Sequence, residues 1–168
     1  MKNYVEKVRQ KMEERRQLKR IKLNLIEANI KELKIDGKTK YANVLSVLNS
    51  MLLEYLAKDE YFSEMRVLNF VSDISCYMAD NVGNNTNTDN KVGERIELIL
   101  KAFRDFNKEH TEYIGETTDL GDYLDFVEHF YKDYSSIENC DTNVLEYLEF
   151  VIVSQYSCCK LLLATEVE

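Results

Sequence analysis

Asp122, Asp125 and His129 stand at i, i+3 and i+7, which on a helix places two carboxylates and an imidazole on one face. Three such ligands are enough for a divalent cation. The helical signature of catalytic zinc, however, is two histidines at i and i+4 with a glutamate, and it is missing here. A solvated acidic face with one histidine accounts for the same residues. Cys140 with His129 is the thiol–imidazole pair to weigh for nucleophilic chemistry, but Asp141 beside Cys140 disfavours the thiolate. The window Asp80 to Lys91 offers Asn and Asp oxygens for calcium, yet lacks the glycine and the glutamate of an EF-hand loop. Phosphate-cradling glycine loops, a GxSxG elbow and Cys/His metal spacing are all absent, and the spread of 30 acids singles out no pair. The chain reads as a non-enzyme without metal or cofactor.

Charge carries more information. Residues 1–40 hold 13 Lys and Arg against 6 Asp and Glu, whereas residues 41–168 hold 9 against 24. Two readings fit such a split: a basic arm that meets something anionic, or a basic element lying on the acidic body of its own fold. Lys11, Arg15, Arg16, Lys19 and Arg20 are the candidate contacts. A membrane-surface helix wants Trp, Phe or Leu, and residues 1–17 supply only Tyr4, Val5, Val8 and Met12. Glu6, Glu13 and Glu14 dilute the basic character expected of a nucleic-acid helix. Mixed pairs such as Glu6–Arg9 and Glu13–Arg16 suit an interfacial or coiled-coil helix. Protein contact therefore ranks first, nucleic acid through residues 2–22 second, and membrane third. In the acidic half Tyr113, Tyr131, Tyr134 and Tyr147 flank carboxylates. Tyr131 and Tyr134 are candidates for a second binding face, since Tyr is enriched at hot spots.

These residues have to be positioned by helices. There is no proline and only 5 glycines in 168 residues, which leaves few tight turns. Residues 2–35 predict one long basic helix, or two end to end, with 1–17 free to project. Leu18, Ile21, Leu25 and Ala28 are its expected packing stripe, and Asp36-Gly37 its stop. Thr39 is the expected cap of a second helix to about residue 57, and Asp59 of a third to about 80, with Phe62 inward. Residues 81–90 form an Asn-rich loop. A fourth helix follows over about 91–109. A linker around Tyr113, Ile114 and Gly115 leads to a cap at Thr118 or Asp119 and a fifth helix to about 134. The sixth, about 142–164, is the most apolar and is expected at the centre, with Phe150 among the core aromatics. Its Glu146, Glu149 and Lys160 argue against a membrane span. Val151-Ile152-Val153 leaves a strand open as the alternative.

The expected fold is thus an all-α, single-domain bundle of five or six helices over residues 1–168. The four cysteines carry no CxxC motif, and the vicinal pair Cys158-Cys159 sits in an apolar run where thiols act as small hydrophobes. With no apolar signal region at the N-terminus, a reduced, cytoplasmic compartment is expected, and the sequon Asn84-Asn85-Thr86 means little there. The expected function is a non-enzymatic interaction protein, an adaptor, inhibitor or regulator that occupies a partner's surface. Self-association is compatible with it. The alternative is a nucleic-acid-associated protein using the basic helix.

Overall fold

The computed structural model describes residues 2–58, 64–83, 91–110 and 117–167, at 2, 117–119 and 165–167 for the backbone alone. Among the described residues it is an all-α bundle of six helices without a strand: α1 Lys2–Ile35, α2 Thr39–Leu56, α3 Glu64–Asn81, α4 Val92–Glu109, α5 Thr117–Ser135 and α6 Thr142–Val167. Asp59, Phe62, Tyr113, Ile114, Gly115 and residues 84–90 of the Asn-rich loop lie outside the described residues.

Helix α1 stops where Asp36-Gly37 predicts. Gly37 takes φ 78°, its N–H donates to the Lys34 carbonyl at 3.1 Å, and the Lys38 N–H reaches back to the Leu33 carbonyl at 2.8 Å. These two bonds satisfy carbonyls that the helix end would otherwise orphan, and a left-handed residue is needed to make them. Thr39 is the first residue of α2 rather than its cap; Lys38 holds the cap position without a side-chain bond. Likewise α5 begins at Thr117, just ahead of the expected caps.

Helix α3 is the hub. It packs on α1, α2, α5 and α6, and Val67, Leu68, Val71, Ile74 and Met78 are fully enclosed. The bonds Lys19–Glu64, Lys22–Asn69 and Asn29–Ser75 advance together along both chains, so α1 and α3 run parallel. Phe70 meets Tyr123 and Phe130 of α5 edge-on, with centroids 5.9 and 6.2 Å apart, an arrangement favoured by the ring quadrupoles.

Helix α6 sits to one side of α3, which takes the central place expected of it. It is held by Tyr147 stacked on Tyr77 at 4.2 Å and by Tyr156 between Phe103 and Phe106 of α4. The run Val151-Ile152-Val153 is helical. The reason for the lateral position is polar: Glu146, Glu149 and Lys160 recur along the helix and need water or a partner. Glu149 finds one in Arg95, at 2.6 Å. Phe150, expected in the core, is 66% exposed.

At one end, Asp141 caps α6 and ties three segments together. Its Oδ1 accepts from the Asn143 N–H at 3.0 Å and its Oδ2 from the Gly83 N–H at 3.1 Å. The Tyr134 hydroxyl donates to the Asp141 carbonyl at 3.0 Å and accepts from the Asp141 N–H at 3.1 Å. Nearby, Lys40 and Tyr41 reach the Glu138 and Asn139 carbonyls.

Candidate partner-binding arm

Residues 3–18 of α1 are helical and every one of them is exposed. At about 1.5 Å per residue this is a stretch about 24 Å long with no buried residue among those described. The basic segment divides: residues 3–18 are exposed, while Lys19 and Lys22 lie on the body. Among the described residues its polar bonds to the bundle begin at Lys19, where the ammonium meets Glu64 at 3.5 Å in the first turn of α3, and Lys22 bonds to Asn69.

The packing face of α1 is one step round the helix from the expected stripe. Ile26, Asn29, Ile30 and Leu33 are buried, whereas Leu18, Ile21, Leu25 and Ala28 face outward. The Asn29 amide donates to Ser75 Oγ at 3.0 Å, and Ser75 passes the bond to the Ser72 carbonyl at 2.8 Å. A polar residue in the middle of the buried face is what misled the periodicity reading, because its satisfaction inside the core is not visible in the sequence.

Followed backward, that buried face obeys a heptad alternation. Leu33, Ile26, Lys19, Met12 and Val5 repeat every seven residues, and Asn29, Lys22, Arg15 and Val8 fill the intervening positions. The seam that α1 uses against α3 thus continues along the arm past the start of α3, carrying Val5, Val8 and Met12 on one side of Arg15. Glu6, Gln10, Glu13 and Gln17 occupy the opposite face. The Glu13–Arg16 pair forms at 3.7 Å between two exposed side chains, so it contributes a few tenths of a kcal/mol at most. This heptad register is the signal that could have located the packing face of α1 from the sequence.

Of the sequence candidates, Lys11, Arg15, Arg16 and Arg20 stand on the exposed helix. Lys19 belongs to the arm's base and is engaged with Glu64. Tyr131 and Tyr134 are not surface residues. Tyr134 is fully buried and committed to Asp141, and Tyr131 donates to the Gly93 carbonyl and lies 3.2 Å from Glu97. Their rings complete the apolar seam of α5, and flanking acids do not override helical periodicity. Burial raises the Tyr134 hydroxyl well above its usual range, with Tyr41 and Asp141 adding to the effect.

The face with Asp125 and His129 is crossed by ion pairs from Arg104 and Lys132. Arg104 reaches Asp125 at 2.9 Å and Glu128 at 3.0 Å, Lys132 adds a bond to Glu128 at 3.0 Å, and His129 lies 2.9 Å from Asp133. The hydrogen bond from Lys132, with Arg104 behind it, holds the Glu128 carboxyl below the usual range. A groove of about 530 Å³ runs beside it between α4 and α5, but Lys101, Lys108 and Lys132 alternate there with Glu97, Asp105 and Glu128, so it offers no single-sign site. Half-buried Cys140 has its thiol pushed up by burial first and Asp141 second, the reverse of what a nucleophile requires. One buried hydroxyl, that of Tyr123, has no protein partner and borders a recess of about 180 Å³ with Arg66, Asn69 and Gln155. No protein-family model, curated protein or solved structure matches this chain.

Proposed function

We propose that this protein is a non-enzymatic interaction module whose α1 arm docks on a helix of a partner protein. The observation that carries the reading is the uninterrupted exposure of residues 3–18 along a seam that is a packing seam elsewhere in the same helix. Most helical stability comes from tertiary packing of an amphipathic face, and burying Val5, Val8 and Met12 against a partner supplies it to this half of α1. Arg15 in the seam, with Lys11 and Arg16 beside it, favours a partner helix bearing carboxylates. The carboxylates on the arm's other face disfavour a phosphate backbone.

The second reading rests on the nine Lys and Arg against three Glu of residues 2–22, which is enough positive charge to attract nucleic acid. A salt series separates the two. Wild type and the triple variant Lys11→Glu/Arg15→Glu/Arg16→Glu are titrated with duplex and single-stranded oligonucleotides from low to physiological salt. Docking on protein gives only weak binding that vanishes at physiological salt. Sub-micromolar affinity with a slope of about −0.9 per phosphate contact in log–log form, abolished in the variant, would favour nucleic acid instead.

A further inference from the structure

Helix α6 is the most apolar helix of the bundle, yet only 17% of its most apolar 18-residue stretch is buried. Its outer face carries Phe150, Val153, Ser157 and Leu161, of which Phe150 and Leu161 are 66% and 68% exposed. A contiguous exposed apolar face of this kind marks an interaction surface, and the sequence itself offers a match. Glu146, Phe150, Ser157 and Leu161 are placed symmetrically about the midpoint between Val153 and Ser154. A second α6 laid antiparallel across that midpoint sets each Phe150 against the small Ser157 of the other copy. Each Glu146 then falls beside Leu161 and Lys160 of the other copy, and the two Glu146–Lys160 pairs form reciprocally once each ammonium turns from the Tyr156 ring it covers at 4.2 Å. A two-fold interface requires this kind of self-complementarity.

We infer that the outer face of α6 is a self-association surface, closed by the same face of a second copy in antiparallel register. The arm plays no part in it, because two α1 arms bring like charge together. Membrane insertion of α6 would place Glu146, Glu149 and Lys160 in hydrocarbon and pull Tyr156 and Tyr147 off α4 and α3. With a helix about 10 Å wide paired over about 24 Å, the footprint is on the order of a few hundred Å² per copy. That is short of the roughly 800 Å² per partner of standard stable interfaces, so the dimer is a weak one with a micromolar dissociation constant.

Sedimentation equilibrium of the full chain from about 1 to 500 μM reads this directly. Wild type passes from monomer to dimer across the range, Phe150→Glu stays monomeric, and Glu146→Lys and Lys160→Glu each weaken the dimer about tenfold. The double reversal Glu146→Lys/Lys160→Glu recovers it, and Lys11→Glu/Arg15→Glu/Arg16→Glu leaves it unchanged, which separates this surface from the arm. All the variants change exposed or half-exposed side chains, and circular dichroism verifies their fold. A wild type that stays monomeric throughout, or a double reversal that fails to restore association, overturns the proposal. So does binding of the chain to neutral phosphatidylcholine vesicles that Phe150→Glu abolishes.

Discussion

Two tyrosines of α5 show how the fate of a hydroxyl decides what its ring contributes. Tyr134 exchanges two hydrogen bonds with the backbone of Asp141, whereas the equally buried Tyr123 hydroxyl has no protein partner. Tyr134→Phe leaves a buried carbonyl and N–H short of partners and should cost about 1–3 kcal/mol in denaturant unfolding. Tyr123→Phe removes an unpaired polar atom and should be neutral or slightly stabilising. The ranking, not the absolute values, is the check. At Glu128 the pairing with Lys132 and Arg104 depresses the folded-state pKa below the ordinary carboxylate value. Its contribution to stability is therefore complete above the unfolded pKa and is lost as pH falls through the folded one. Thermal melts between pH 6 and pH 3 should show wild type losing stability more steeply than Glu128→Gln. Parallel slopes would mean that the Arg104 cluster is energetically idle.

At the scale of the element, α1 is one helix with two environments. Leu33→Ala opens a cavity in the body and should cost about 2–5 kcal/mol, while Val8→Asp/Met12→Asp in the arm should shift the melting midpoint by less than the equivalent of about 0.5 kcal/mol. An arm variant that destabilised the body would show that the arm packs on it in solution. Most of the helices were legible because long 3.6-period stretches without proline admit few alternatives, and Gly37 marked the end of α1 without ambiguity. The face of α1 was not legible by the same route. Asn29 and Lys22 interrupt the buried stripe, and only their bonds to α3 make those positions acceptable. Tyr131 and Tyr134 failed for the opposite reason, since neighbouring acids advertised a surface that the periodicity of Val127, Phe130 and Tyr134 denies. The apolar richness of α6 was read as centrality, but an apolar composition shows that a face needs covering without saying what covers it.

The whole molecule separates its charges: the basic N-terminal half of α1 is exposed beside an acidic bundle, and the apolar side chains of the arm seam and of the outer face of α6 belong to different elements. Like-charged arms repel, so the arm seam selects a partner of other chemistry, whereas the outer face of α6 carries Glu146 and Lys160 together and can pair with its own copy. The claim on which the account turns is that the Val5–Val8–Met12 seam, rather than arm charge alone, takes the partner. A photoreactive amino acid placed at Val8, and in parallel at Gln10 on the opposite face, tests it in the cells that encode the protein. The account predicts a discrete protein adduct from Val8, little from Gln10, and loss of the Val8 adduct when Met12→Asp is added. Equal capture from both faces, nucleic-acid adducts from Val8, or no adduct at all would contradict it.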